Sequence, residues 1–386
     1  MKPQLNPVIV VIYNRDFEGA EADPENKARE DIKDIAENVI GILTGRGFAA
    51  TGLGVTEDVF GAVNAIRELK PDVVFNLCES IGGDNRFEPL LPLLLEREGI
   101  AYTGSSSLSL ALALHKHKAK EILRARGVPT PDAVYLTTPD VSAVTLPFPL
   151  IVKPAREDAS VGICSESVVH DRAALKQRVT YILSHYRQPA LVEQYIDGRE
   201  IYVSLLGRPN DVPEVFPFYE IDFSEMPADR PRIVSFEGKW VEDSDEYRGT
   251  KPVRCQGLSP EVAARITAAA VAAWSALELR DYGRMDIRLA ADENGGIPYV
   301  IDVNPNCDLS DIAGGFSKAA KAGGWSYHDV ILRLVELAML RRPNADTIPL
   351  AARSRRAGRN HRQGRPIPSG GDIVRDRAPR GRARSG

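Results

Sequence analysis

Sulfur is scarce in this 386-residue chain, which has four cysteines (Cys78, Cys164, Cys255 and Cys307) and four methionines. The cysteines lie far apart with no CxxC spacing. That excludes a disulfide framework or a zinc ribbon and suits a reducing cytosol. Long apolar runs are also missing. No stretch approaches the roughly 20 residues a membrane helix needs, and residues 8–12 are too short a run for a signal peptide. No G-x-G-x-x-G follows that first run, so the dinucleotide fingerprint is absent. Most of the chain has no basic excess either. Net charge is −4, yet residues 351–386 hold eleven arginines against two aspartates, about +9, which leaves about −13 elsewhere. A basic nucleic-acid surface on the folded part is thereby excluded. The Arg/Gly/Pro/Ser bias from Ala351 onward predicts disorder. No internal repeat is found.

Hydrophobic content of 43% over this length allows two or three packed domains. Residues 8–13, VIVVIY, predict a strand buried on both faces of a parallel sheet. A helix over 28–44, closed by Gly45 and Gly47, is followed by a strand at 48–55, a helix at 59–69 and a strand at 72–77. That alternation predicts an open α/β sheet for about the first 100 residues. Residues 78–88 then fall at the carboxyl end of a strand, where such sheets place ligands; a plain turn accounts for them as well. After Gly104 and Ser105 one long helical pattern begins, closed by Gly127, Pro129 and Pro131. It puts Lys116 and Lys120 one turn apart on one face, where lysines are usually solvated.

Three further stretches carry chemistry. Lys153 leaves a strand beside the small-residue loop Ala159-Ser160-Val161-Gly162, which suits polyphosphate binding or a simple hairpin. Glu193 ends an apolar strand, a hinge-like Gln194-Tyr195-Ile196-Asp197-Gly198 follows, and Glu200 opens another strand. Backbone groups there can read an adenine edge, and a carboxylate can hold ribose hydroxyls; alone the stretch is a bland strand-turn-strand. The chain is organised around residues 283–306, where strands at 285–289 and 299–303 flank an Asp-Glu-Asn-Gly-Gly turn. Asp302 and Asn304 share a strand face, and the hairpin brings Asp286 opposite them. Two carboxylates and an amide oxygen on a rigid sheet are Mg²⁺-type ligands, or else solvated strand ends. Residues 211–257 read as a long functional loop with little regular structure. The Ala-rich helix at 259–277 reads as packing, and a last helix spans 327–340.

Together these elements resemble an ATP-grasp carboxylate–amine ligase of the D-alanine–D-alanine ligase group, over about residues 8–340. The resemblance rests on Tyr102-Thr-Gly-Ser with the Lys116 helix, Val152-Lys-Pro-Ala-Arg-Glu-Asp-Ala-Ser-Val-Gly, Val192-Glu-Gln-Tyr-Ile-Asp-Gly-Arg-Glu, Phe236-Glu-Gly-Lys-Trp, Gly283-Arg-Met-Asp and Val300-Ile-Asp-Val-Asn. It implies an N-terminal α/β domain (1–106), a small ATP-grasp lobe (107–195), a large α+β lobe with a mobile loop at 211–257 (196–347) and an Arg-rich tail (348–386). It further implies that ATP meets Lys116, Lys153, Ser160, Gly162, Glu193, Gln194, Tyr195, Ile196 and Glu200. Lys239 then reaches the γ-phosphate, Arg284 faces a developing oxyanion, and Asp286, Asp302 and Asn304 hold two Mg²⁺, or Mn²⁺ in their place. The partners implied are a small carboxylate and an amine in the cytoplasm, with a homodimer allowed and no membrane or specific nucleic acid.

The sequence departs from the group on the amino-acid side. The N-terminal Gly-Gly-x-Ser-x-Glu is absent, and Asn14-Arg-Asp-Phe-Glu-Gly stands there, with Asp16 and Glu18 as substitute acids. Ala159 replaces a hydroxyl, Trp240 replaces Tyr or Phe, and Pro-Asn-Cys-Asp-Leu-Ser follows Asn304 in place of Thr-x-Pro-Gly-Met-Thr. Three functions stay open: a D-alanine–D-alanine ligase, a ligase for another carboxylate and amine, and a nucleotide-binding protein without ligase activity. If the Asp302 charge serves only a cation, neutralising it leaves the metal-free fold intact.

Removing residues 351–386 leaves folding and catalysis unchanged, because the segment has too few apolar residues to join a core. Thermal melts of the truncated protein check this, and a clear drop in Tm would show that the tail docks.

Overall fold

The computed structural model describes residues 6–15, 24–290 and 296–342. The substitute acids Asp16 and Glu18, residues 292–295 of the hairpin turn and the tail expectation for 348–386 lie outside them. The first strand, β1 (Val8–Asn14), is followed by α1 (Pro24–Gly45), β2 (Ala49–Val55), α2 (Val59–Leu69), β3 (Val73–Asn76) and α3 (Leu90–Glu98). The strands form a parallel sheet in the order β2-β1-β3. Its centre is buried on both faces, as the unbroken β-branched run predicts. Ile9 and Val11 enter one core with α1, while Val10 and Ile12 enter another with α2 and α3. The Asp58 side chain caps α2 by accepting from the Gly61 amide at 2.9 Å.

The long helix expected after Ser105 is two helices, α4 (Ser107–Leu114) and α5 (Lys116–Ala125). His115 leaves helical geometry at φ −85°, ψ 74°. Its ring Nδ1 lies 2.9 Å from the Ala111 carbonyl, the same group its own amide uses, so local side-chain bonding competes with continuation. The restart turns Lys116 and Lys120 inward, at 5% and 2% exposure, where solvated lysines would be the ordinary outcome. The next elements are β4 (Ala133–Leu136), β5 (Leu150–Pro154), β6 (Val168–Val169), α6 (Arg172–His185) and β7 (Ala190–Gln194). They make an antiparallel sheet, β4-β7-β5-β6, with Leu175, Val179 and Ile182 of α6 packed on Leu150, Val152 and Val192.

The remaining sheet contains β8 (Gly198–Gly207), β9 (Glu214–Val215), β10 (Tyr219–Asp222), β11 (Lys251–Arg254), β12 (Asp281–Ala290) and β13 (Pro298–Asn304). Its order is β11-β10-β8-β12-β13, with β9 on β8. Residues 211–257 therefore hold more regular structure than their composition predicts. Tyr219 pairs with Tyr202 of β8, and two short helices, α7 (Phe236–Trp240) and α8 (Asp245–Arg248), lie between β10 and β11. Tertiary pairing supplies order there that local propensity does not. The Ala-rich helix is α9 (Pro260–Ala276), and its Ile266, Ala270, Ala273 and Trp274 pack on Met285 and Ile287, in line with the packing reading. The chain then runs through α10 (Gly315–Ala322) and α11 (Tyr327–Met339). Buried Asp281, at the start of β12, accepts from Arg341 beyond α11 at 2.6 Å to each oxygen and from the Gly104 amide at 2.8 Å. Among the described residues no helix is long and apolar enough to cross a membrane.

Candidate active site

Strand alternation builds the site. Met285, Ile287 and Leu289 of β12 enter the core with α9, so Arg284, Asp286 and Arg288 take the opposite face. Across from them β8 sets Ser204, Tyr202 and Glu200, and β13 sets Asn304 opposite Arg284 and Asp302 opposite Asp286. The register shifts just past Asp286, leaving Ile301 outside the pairing, a local irregularity of the kind that re-aims groups beside active sites.

Asp286 and Asp302 thus face each other directly, a destabilising placement for like charges. Each is met by a cation. Arg284 grips Asp286 in a fork, Nε to Oδ1 at 2.6 Å and Nη2 to Oδ2 at 2.9 Å, and Asn304 Nδ2 adds a bond at 3.2 Å. Lys116 Nζ donates to both oxygens of Asp302, at 2.7 and 3.0 Å, and to Asp158 of the small-residue loop at 2.8 Å. Burial pushes the Asp302 carboxyl up, but Lys116 and then Lys153 outweigh it and hold it below its ordinary value. Burial likewise lowers Lys116, and Asp158 and Asp302 more than reverse that. The Asp302 charge is thus not reserved for a metal ion, contrary to the expectation above: it partners a buried lysine.

Beside this pair lies a second buried cluster. Glu193 sits between Lys120, at 3.2 Å, and Lys153, at 3.0 Å, and all three side chains are nearly solvent-free. Lys120 also donates to Thr130 Oγ1 at 3.1 Å and to the Ile301 carbonyl at 3.4 Å. Burial draws the Lys120 ammonium down to about 8 against the pull of Glu193, and Lys153 adds to the fall. In the hinge, the Gln194 amide donates to Asp132 at 2.9 Å and the Tyr195 amide to Pro149 at 3.2 Å. Ile196 is 7% exposed, and among the described residues its amide has no hydrogen-bond partner. Glu200 is paired with Arg288 at 2.8 Å and accepts from the Tyr202 hydroxyl at 3.2 Å.

Two loops close over these groups. Ser160 donates to the Val234 carbonyl at 2.9 Å, and the Trp240 indole donates to the Ala159 carbonyl at 3.1 Å. Gly162 has φ +74°, and a Cβ there would come within 2.5 Å of Pro154, so only glycine turns the loop back. Lys239 stands on α7 with its ammonium 5.0 Å from the Trp240 ring. The residue is exposed, and nearby protein mass and then Arg284 draw its pKa down, while Glu79, Asp286 and Asp308 oppose. On the far side Asn306 Nδ2 donates to the Cys78 carbonyl at 3.0 Å and to Glu88 at 2.7 Å, and its Oδ1 accepts from the Tyr282 hydroxyl at 2.6 Å. The segment 78–88 is therefore tied to the end of β13, beyond what a plain turn requires.

Lys116, Asp286, Asp302 and Asn304 come together around one charge-paired group and Lys153 and Glu193 around the other, with Ser160, Gly162 and Lys239 in the covering segments. Asp286, Asp302 and Asn304 fit a hard divalent cation by donor chemistry. No three His, Cys, Asp or Glu side chains gather among the described residues, so the Asn304 amide is needed to complete the set. Sequence reasoning passed over Asp158 and Arg288, and it left Lys120 ambiguous. For Arg288 a signal existed: it lies two positions from Asp286, on the same strand face.

The comparisons agree with this architecture. The family model described as D-ala D-ala ligase C-terminus matches residues 122–336. The chain is 30% identical over 318 residues to a D-alanine–D-alanine ligase of Ralstonia pickettii, covering 79% of this chain and 88% of that protein. It is 37% identical over 266 residues to the uncharacterised protein y4sG of Sinorhizobium fredii, covering 69% and 74%. A crystal structure of D-alanine–D-alanine ligase from Bacillus anthracis complexed with ATP is similar in fold, with a TM-score of 0.66 at 22% identity, over 87% of this chain and 98% of that one. Fold and relatives define an ATP-dependent carboxylate–amine ligase of the ATP-grasp class. Within that class, the chain belongs to the D-alanine–D-alanine ligase family.

Two predictions follow from the buried charges. Asp302→Asn lowers turnover at least tenfold, a cost of about 1.4 kcal/mol or more. It also costs about 1–3 kcal/mol of stability without nucleotide or metal, because Lys116 keeps Asp158 alone; denaturant melts and turnover assays check both. For Lys120, the folded value near 8 lies below the ordinary 10.5, so between those pH values the unfolded chain holds a proton the folded one has shed. Stability from this group therefore rises with pH across that window. The stability of wild type relative to Lys120→Met grows between pH 7.5 and 10, by on the order of 1–3 kcal/mol. A flat difference contradicts the assignment.

Proposed function

We propose that the chain joins a carboxylate to an amine through an acyl phosphate, at an ATP and Mg²⁺ site formed by the two charge groups above. The observation that carries this reading is a set of three buried lysines at adjoining sites, Lys116 on Asp302 and Lys120 with Lys153 on Glu193. That much buried positive charge suits a polyphosphate. Ile196, whose amide has no hydrogen-bond partner among the described residues, supports an adenine-edge contact, and the Glu200 carboxylate, oriented by Arg288 and Tyr202, supports a ribose hydroxyl. The domain division at residues 106, 195 and 347 belongs to the same reading. Four free thiols and the absence of a cystine support a cytosolic setting.

In this reading the protein positions and neutralises, as in other phosphoryl transfers. Asp286, Asp302 and Asn304 would hold Mg²⁺, which supplies charge neutralisation at the phosphates. The substrate carboxylate attacks the γ-phosphorus and ADP leaves. The amine then adds to the acyl phosphate carbonyl, and phosphate departs with the amide formed. Lys116, Lys153 and Lys239 donate to phosphate oxygens. Arg284 faces the carbonyl oxygen as it gains charge, with its Nη1 edge toward Gly315, where a Cβ would lie 3.8 Å away. The loops around Ser160 and Lys239 keep water from the acyl phosphate.

The substrates proposed are a carboxylate and an amine other than two D-alanines. Asn306, in the stretch that replaces the family motif, has its donors and acceptor engaged by Cys78, Glu88 and Tyr282. It is thus committed to tying the domains together. A site that hydrogen-bonds a charged amine loses a large factor when its partner is gone.

Screening carboxylate and amine pairs for ADP release, with mass detection of the product, tests the ligase reading. ADP release that never depends on an added amine would overturn it. With D-alanine as the sole amino acid, turnover is poor or absent. A KM in the low-millimolar range or below, with normal turnover, would restore the dipeptide ligase.

A further inference from the structure

Arg288 is 4% exposed, and one guanidinium joins three parts of the chain. Its Nη2 lies 2.8 Å from Glu200 Oε2 on β8. Its Nη1 donates to the Gly198 carbonyl, at the end of the hinge, at 3.1 Å. Nη2 also donates to the Arg232 carbonyl, in the segment between β10 and α7. The group lies 5.8 Å from the Tyr195 ring and 5.4 Å from the Phe223 ring, and the Tyr195 hydroxyl shares the Arg232 carbonyl at 3.3 Å. Two residues beyond Arg232, the Val234 carbonyl takes the Ser160 hydroxyl, and Ser235 caps the helix that carries Lys239.

We propose that Arg288 is a positioning residue that couples occupancy of the nucleotide hinge to closure of the loop bearing Lys239. The inference rests on the nucleotide site proposed above. A buried arginine paired with one carboxylate would be neutral ballast in the fold. This one also spends its fork on backbone carbonyls of the hinge and of the closing segment. A nucleotide that orders Glu200 and the hinge orders the guanidinium, which fixes Arg232 and with it the start of α7. Lysine at this position could keep the ion pair but has no planar fork to span the two carbonyls.

The test uses the full-length protein and trypsin, since residues 232–254 hold Arg232, Lys239, Arg248 and Arg254 as cleavage points, while Arg230 and Lys251 precede prolines and resist the protease. In wild type, MgATP slows cleavage there. In Arg288→Lys, calorimetric affinity for MgATP stays within about threefold, while saturating MgATP no longer protects the loop and turnover falls at least tenfold. Tyr195→Phe, which keeps the Arg288–Glu200 pair and removes only the hydroxyl, loses protection in part at saturating MgATP. The coupling is overturned if saturating MgATP protects Arg288→Lys as fully as wild type, or if Tyr195→Phe leaves protection intact. If wild type binds no MgATP, the nucleotide site itself is refuted, a separate outcome.

Discussion

Two carboxylates held directly across neighbouring strands set the terms for the rest of this site. Asp286 and Asp302 cannot separate, because β12 and β13 pair through them. Without bound cations their repulsion must be met by the protein. Arg284 meets one from its own strand, and Lys116 meets the other from α5. The break at His115 is part of the same solution, since it places Lys116 at the start of a helix aimed into the sheet. A straight helix through 107–125 would not have delivered that geometry.

The second cluster follows the same logic at greater depth. Glu193 is 1% exposed, and Lys120 and Lys153 flank it from a helix and a strand, as a buried carboxylate requires. Three lysines here face three carboxylates, Asp158, Asp302 and Glu193, and burial still penalises the charge, as the depressed Lys120 shows. Buried charge of this kind is poor for stability but suits a site that receives a multiply charged anion. Further ties hold the scaffold, a bond from Asn306 to the Cys78 carbonyl and an ion pair of Arg341 with Asp281.

Periodicity made much of this legible in advance. The run VIVVIY could only be a doubly buried strand, and the alternation in β12 and β13 placed Asp286, Asp302 and Asn304 on one face before any coordinates. What escaped was decided by tertiary context. α3, α6 and α10 gave no distinct signal, and the strands within 211–257 exist because β8 offers them an edge. Lys120 stayed ambiguous because nothing local says that α5 turns that face inward. Asp158 was passed over, since its partner Lys116 is 42 residues away. Paired charges distant in sequence leave no local pattern.

Asp158 also bears on how the site would admit a nucleotide. It begins a tight turn closed by the Val161 amide at 3.0 Å, in which Ala159 and Ser160 both have positive φ, 54° and 64°. Neither is glycine, so each adds roughly 1–2 kcal/mol of backbone strain. The turn persists because Asp158 reaches Lys116, Ser160 reaches Val234, and Trp240 reaches Ala159. A polyphosphate at Lys116 competes with Asp158 for the same ammonium and carries more charge than one carboxylate. Once displaced, the turn loses the contact that offset its strain. Opening then costs less than the count of its hydrogen bonds suggests, and a loop that must yield to its ligand is reasonably built in a strained form.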